Sequence, residues 1–336
     1  MTVDGDSTAT PPKVTVIIPT YNRARYLGEA IRSALAQTYG DFELIVVDDG
    51  STDATAELVG AYRDRRLRYL SQPHRGISAA VNLAIRSARG GYIARLDSDD
   101  LWFPDMLATL VPVLDAEPEI GVVYGRGQGI DDEGRRLPHT QGLPERFPDD
   151  SLRSLLYDNS ICNVALVARR ACFNRAGLYD ETLLANEDWD MWLRVARHYR
   201  FAFVDRALAG CRRHSDNLTG PASPQFAAVL DARAAVLDKL FGAPDLPPAA
   251  RAMKSTAYAN MHLSRGLCWL EKGDWKRAGR EFGLAFRASD RGLTMTIRIV
   301  WFAVALPTLT RCSLGRRLAQ ALADFRRRRR ALLRRA

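Results

Sequence analysis

Cysteine is scarce and scattered in this 336-residue chain, at Cys162, Cys172, Cys211, Cys268 and Cys312. The number is odd and the spacing suits no metal site, so a disulfide framework is excluded and the residues read as reduced thiols of a cytoplasmic protein. A glycine-rich loop after a strand is also missing, which argues against a dinucleotide fold or a P-loop. Apolar runs are short. Ile299–Leu306, bounded by Arg298 and Pro307, offers eight residues where a bilayer needs about twenty. Residues 1–12 are polar, carry Asp4 and Asp6 and lack an apolar core, so a flexible leader is expected there rather than a signal peptide.

Hydrophobic residues make up 47% of the chain, enough for a substantial core. Its formal charge is +9, with 48 basic and 39 acidic residues. Ten arginines and one acid, Asp324, lie in residues 311–336, which leaves 38 of each sign in the rest. The body is neutral and the tail is the basic element. An aromatic and apolar stretch followed by arginines suits an anionic membrane surface, where each charge contributes about 1 kcal/mol. Residues 295–336 are therefore expected to lie on the inner face of the plasma membrane, a solvated basic helix or disordered tail being the alternative.

Short β-branched runs alternate with helical spacing in the first hundred residues. Val14–Pro19, Leu44–Val47, Leu67–Leu70 and Tyr92–Leu96 predict strands; Arg25–Gln37, Ala54–Tyr62 and Ile77–Ala88 predict helices. That order implies a mostly parallel central sheet with helices on both faces, whose ligands bind beyond the carboxyl ends of the strands. Glycine and proline through 117–150 predict irregular structure. Asp188–Tyr199 reads as a helix and Phe201–Asp205 as an edge strand. A boundary is expected near residue 220. Two helices about Lys272-Gly273-Asp274 resemble one tetratricopeptide-type hairpin, within a helical extension over 221–310.

Both acidic loops fall at those carboxyl ends. Asp97-Ser98-Asp99-Asp100 follows the fourth strand, and carboxylates within roughly 6 Å repel one another unless a cation relieves them. Mg²⁺ accepts one or two carboxylates and leaves its other positions to water and phosphate. Asp48-Asp49-Gly50-Ser51 follows the second strand, where a carboxylate can accept from a pyrimidine edge or a ribose hydroxyl. Capped turns with solvated acids are the bland alternative for either loop, as a helix cap is for Asn22.

Val14–Arg23, Asp48–Asp53, Gly76–Asn82, Asp97–Asp100 and Asn186–Asp190, in that order, resemble the motif set of family 2 glycosyltransferases over about residues 13–217. The resemblance implies a GT-A fold over residues 13–220 and inverting, hexosyltransferase-type transfer from a nucleotide-diphospho-sugar, with UDP favoured. It assigns the nucleotide to Pro19, Tyr21, Asn22, Asp48, Asp49, Asn82 and Asp97. It puts Mg²⁺ or Mn²⁺ on Asp99, with His214 as a second candidate ligand. Asp188 becomes the base, with Glu187 and Trp189 beside the sugar or acceptor; Trp192 reads as core. The implied acceptor is a glycan or polyprenyl-linked glycan of envelope or exopolysaccharide synthesis. Rival readings are a nucleotidyltransferase, a nucleic-acid-binding protein acting through its tail, and a scaffold. Nucleic acid is not expected as a partner, because the body is neutral and the tail lacks interleaved aromatics.

Overall fold

A continuous apolar run forms a strand only where both of its faces are covered, and the first seven residues of the sheet meet that condition. In the computed structural model, which describes residues 10–157, 159–214, 217 and 223–289, β1 (Val14–Thr20) is buried along its whole length. It is followed by α1 (Ala24–Leu35), β2 (Phe42–Asp48), α2 (Thr55–Gly60), β3 (Leu67–Ser71), α3 (Ile77–Ser87) and β4 (Tyr92–Arg95). β3, β2, β1 and β4 lie side by side in that order and all run parallel. Tyr26, Leu27, Ala30, Ile31 and Ala34 form the buried stripe of α1, packed with Val16, Ile18, Leu44 and Val46 of the strands. Truncating a leucine such as Leu44 to alanine in this core costs about 2–5 kcal/mol.

Beyond β4 come β5 (Leu101–Trp102), α4 (Met106–Ala116), β6 (Ile120–Ile130), β7 (Arg136–Gln141), α5 (Ser151–Tyr157), β8 (Leu166–Arg169), α6 (Arg170–Ala176), α7 (Glu187–Val195), β9 (Arg200–Arg212), α8 (Phe226–Gly242) and α9 (Pro248–Arg251). The sheet continues β4-β8-β6-β9-β5, with β7 added on β6, and reaches nine strands among the described residues. β8 is antiparallel to both β4 and β6, so the mostly parallel sheet expected is parallel in its first half and mixed in its second.

Two segments differ from expectation. The region expected to be irregular contains β6, an eleven-residue strand. Its glycines are packing positions: a Cβ on Gly127 would collide with the sulfurs of Cys162 and Cys211. The segment expected as an edge strand, Phe201–Asp205, is part of the thirteen-residue β9, which pairs with β6 along its length and takes β5 at Ala209 and Gly210.

The chain divides into two compact units between Ala250 and Arg251, thirty residues past the boundary expected from composition. The reason is α8. Val229 O accepts from Asn186 Nδ2 at 2.8 Å, and Lys239 Nζ pairs with Asp180 (2.6 Å) and Asp190 (2.9 Å), which fastens α8 to the first unit. The second unit contains α10 (Lys254–Glu271) and α11 (Trp275–Ala288), the two helices expected about Lys272–Asp274. Ala259, Leu263 and Ala285 pack between them, and Asp274 caps α11 through Arg277 N at 2.9 Å. No described helix is long and apolar enough to cross a membrane. The leader through residue 9, the Ile299–Leu306 run and the arginine tail lie outside the described residues.

Candidate active site at the carboxyl ends of the parallel strands

β1, β2 and β4 end at one edge of the sheet, and their loops carry the acidic motifs. The β2 loop is tightly tied. Asp48 accepts from Ser51 N (2.8 Å) and from the Tyr69 hydroxyl (2.6 Å). Asp49 accepts from Gln72 Nε2 (2.6 Å), Arg75 N (2.9 Å) and Gly76 N (2.8 Å), and His74 Nδ1 lies 2.8 Å from its Oδ2. Gly50 has φ +81°, and a Cβ there would sit 2.7 Å from His74 N, so this turn accepts only glycine. Asp49 thus shapes the loop before α3, and its carboxylate is already engaged by protein donors.

The β1 loop closes on the same turn. Asn22, at φ +51°, receives a bond from Thr52 N on its Oδ1 (2.8 Å) and donates its own N–H to Ser51 Oγ (2.9 Å). Pro19 is buried within β1 opposite Val47. Tyr21 is 42% exposed and stacks on His74 with ring centroids 4.0 Å apart. Of the residues expected at the nucleotide, Tyr21 offers a free face, whereas Pro19, Asn22, Asp48 and Asp49 hold the loops together. Asn82 is buried as well. Its amide donates to Tyr179 O (2.9 Å) and Glu181 Oε1 (3.0 Å) and accepts from Tyr179 N (2.9 Å), which pins the loop before α7.

The loop after β4 carries more negative charge than it neutralises. Asp97 accepts from Arg95 Nε at 2.7 Å. Burial nevertheless drives its proton affinity up, Arg95 opposes that, and Asp99 adds to it. Asp100 is held well above the ordinary carboxylate range by burial and by the charges of Asp99 and Asp97, although it accepts from Arg212 N at 2.7 Å. Asp99 Oδ2 lies 3.0 Å from His214 Nε2 and 3.9 Å from Arg23 Nε. Asp99 and His214 are 115 positions apart in the chain, and β9 delivers His214 to the loop.

Arg212, a residue that the sequence reading did not single out, fixes that delivery. Its guanidinium donates to Asp99 O (2.8 Å) and Asp132 O (2.6 Å) and pairs with Glu29 of α1 (2.6 Å). His214 stacks on Tyr26 at 4.8 Å. A place two residues before His214 was the only signal for Arg212, since periodicity does not distinguish it from Arg213. Asp99 and His214 bring one carboxylate oxygen and one imidazole nitrogen within 3.0 Å of each other, and among the described residues no three His, Cys, Asp or Glu side chains converge as a metal cluster. A cation held there would depend on phosphate oxygens or water for its remaining positions.

α7 brings the last element. Glu187 accepts from Arg95 Nη1 at 3.2 Å. Asp188, half-buried in the first turn, is pushed up to about 6, first by burial and then by the charge of Glu187, with Asp97 adding and Arg95 opposing. Trp189 does not form a wall for sugar: it is 7% exposed and its indole N–H donates to Leu155 O at 3.2 Å. Trp192 is core, as expected. The site therefore joins the Asp99–His214 pair, a run of mutually repelling carboxylates and Asp188, whose proton affinity burial raises.

The sequence profile of Glycosyl transferase family 2 matches residues 15–173. An uncharacterized glycosyltransferase of Rickettsia prowazekii is 31% identical over 232 residues, covering 68% of this chain and 73% of that protein. The chondroitin synthase of Escherichia coli is 30% identical over 208 residues, covering 61% of this chain and 30% of that enzyme. Among solved structures, S. aureus TarS 1–349 in complex with UDP-GlcNAc superposes with a TM-score of 0.60 at 22% identity, covering 85% of this chain and 90% of that one. The mannosyltransferase PcManGT of Pyrobaculum calidifontis, in complex with GDP-Man and Mn²⁺, superposes with a TM-score of 0.57 at 23% identity, covering 94% of this chain and 87% of that one. These likenesses establish the GT-A fold, and the nucleotidyltransferase and scaffold readings give way to them. The chain belongs to the family 2 glycosyltransferases and is an enzyme of that family.

Proposed function

We propose that this enzyme transfers a hexose, with inversion, from a UDP-sugar to a hydroxyl of a glycan or polyprenyl-linked glycan acceptor in envelope or exopolysaccharide synthesis. The observation that carries the reading is the placement of Asp188: a half-buried carboxylate whose proton affinity burial raises, in the first turn of α7 next to Glu187, which Arg95 links to Asp97 at the acidic loop. General-base catalysis is most efficient when the base titrates near the working pH. Asp188 takes the proton of the acceptor hydroxyl as its oxygen bonds to the anomeric carbon. The bond from that carbon to the donor's phosphate oxygen breaks on the opposite face, and its electron pair leaves with the nucleoside diphosphate. A divalent cation, held by Asp99 and His214, would offset the charge developing on that leaving group.

Supporting the donor class, TarS is solved with UDP-GlcNAc and PcManGT with GDP-Man and Mn²⁺. Tyr21, exposed and already stacked on His74, offers an aromatic face for a base. Arg23, 3.9 Å from Asp99, brings a guanidinium to the acidic loop where a phosphate would lie. The synthase relatives of Escherichia coli and Pasteurella multocida support a polysaccharide acceptor. Residues 295–336 fit a peripheral position on an anionic cytoplasmic leaflet, on charge and composition alone.

The test is nucleoside diphosphate release from a panel of UDP- and GDP-sugars with Mn²⁺, followed by the anomeric configuration of the product. Release from one UDP-sugar, dependent on the metal and giving the inverted anomer, is the expected result. Release from no member of the panel, or a product of retained configuration, would contradict it.

A further inference from the structure

We propose that Arg95 is a positioning residue for sugar transfer: its buried guanidinium is a strut that ties Glu187, and with it the first turn of α7 carrying Asp188, to Asp97 at the end of β4. The inference rests on the reading of Asp188 as the base and adds a residue to it.

Arg95 ends β4 and its side chain is 7% exposed. It lies among Ile17, Ile93, Leu166, Tyr179 and Trp192, an apolar floor beneath the site. An unpaired cation in such surroundings is expensive, so a guanidinium persists there only if acids meet it. Two do. Nε donates to Asp97 Oδ1 at 2.7 Å and Nη1 to Glu187 Oε1 at 3.2 Å, joining residues 92 positions apart in the chain. A planar fork satisfies two carboxylates at once, which a lysine ammonium on a flexible stem does less well. The loop before α7 is held separately by Asn82, which fixes Tyr179, and Tyr179 also interacts with Arg95. Arg95 meets carboxylates on the side of the base, whereas Asp99 lies against His214, Arg23 and the Arg212 guanidinium, and His214 stacks on Tyr26.

The strut also has an electrical consequence. The ionisable groups that act on Asp188 include Glu187 on its own helix, Arg95 and Asp97 from the end of β4, and Tyr179 from the preceding loop. Arg95 favours the charged carboxylate, whereas Glu187 and Asp97 favour the protonated one. Removing Arg95 therefore has the opposite effect on the base to neutralising Glu187. A residue that merely supported the fold would lower activity at every pH and leave the profile where it was.

The experiment is the pH dependence of kcat/KM, from pH 5 to 9, for cleavage of the best nucleotide sugar of the panel. Parent, Arg95→Met, Arg95→Lys, Glu187→Gln and Asp188→Asn enzymes are compared at fixed Mn²⁺. The acid limb is expected to move to higher pH in Arg95→Met and to lower pH in Glu187→Gln. Arg95→Lys should keep the limb within a few tenths of a pH unit of the parent while kcat falls about tenfold and the donor KM stays unchanged. If Arg95→Met does not fold, the opposite shift in Glu187→Gln and the split between kcat and KM in Arg95→Lys still decide the matter. Limbs that stay in place in both neutral variants, or a change confined to donor KM, would overturn the proposal. An Asp188→Asn enzyme at full rate would instead sink the base assignment, whatever the Arg95 variants do.

Discussion

The same parallel strands carry buried acid at both ends, and the two ends treat it differently. At the amino end, Glu43 of β2 is 1% exposed. It accepts from Thr15 Oγ1 (2.8 Å), Arg89 N (2.7 Å), Arg89 Nε (2.9 Å) and Arg68 Nη1 (2.8 Å). Burial alone would raise its proton affinity, but the bonds from Arg89, Arg68 and Thr15 outweigh it and hold the carboxyl below its usual range. At the carboxyl end, Asp97, Asp100 and Asp188 all rise, because burial and mutual repulsion exceed what Arg95 and the Arg212 backbone supply. A structural acid arrives with its own cations. The acids of a ligand site arrive with a deficit for the ligand to fill.

The two ends should consequently respond in opposite ways to substitution. The largest effect expected is on turnover, where Asp188→Asn should lower kcat about 10²- to 10⁴-fold. Stabilisation by nucleoside diphosphate with Mn²⁺ should be unchanged, as a thermal shift would report. Retained turnover would remove the base. Next comes Glu43→Ala, which leaves Arg89 N–H and the Thr15 hydroxyl without their acceptor and should cost about 2–3 kcal/mol in denaturant unfolding while kcat per folded molecule holds.

Asp100→Asn should act in the reverse sense, raising the metal-free melting temperature by about 2–4 °C near neutral pH. The sign follows from linkage. A carboxylate whose folded proton affinity is raised contributes stability that is full below its unfolded value, near pH 4, and lost as pH climbs through the folded value. The gain from Asp100→Asn should therefore shrink steadily toward pH 4. Glu43, lowered on folding, contributes stability above its unfolded value and loses it as pH falls, so the cost of Glu43→Ala should be greatest near neutrality and smaller in acid. Curves that ran in parallel for the two variants would break the contrast. The smallest effect expected is that of Trp189→Phe, which should leave kcat/KM within about twofold because the ring packs on α5.

The contrast also explains what was legible from sequence. The parallel half was legible because both faces of β1 and β2 are covered, which writes an unbroken apolar run into the chain. β6 was not, because Gly125, Gly127 and Gly129 read as loop while the fold uses the missing side chains to admit neighbours such as the sulfurs at Gly127. The extent of the first unit was obscure for a related reason: α8 is tied on by Lys239 and by the Val229 carbonyl, and neither leaves a mark in composition.

At the site, the acidic loops were legible because clustered carboxylates at a strand end are informative by charge alone. The finer roles were not. Asp49 and Asn82 look like ligand contacts in a linear motif, yet the fold engages them with Gly76 N and the Tyr179 backbone. Which donors a side chain meets depends on loops distant in sequence, and spacing holds no record of them. The pairing of Asp99 with His214 was anticipated through the family resemblance, whereas Arg212, which seats His214, became visible only when β9 crossed to the acidic loop.

The most direct test of the deficit is calorimetric titration of UDP with Mn²⁺ into the parent, Asp99→Ala and Glu43→Ala proteins at neutral pH, with UDP alone as reference. The account predicts metal-dependent binding that is lost in Asp99→Ala and unchanged in folded Glu43→Ala. Binding of equal strength with and without Mn²⁺, or metal-dependent binding that survives in Asp99→Ala, would contradict it.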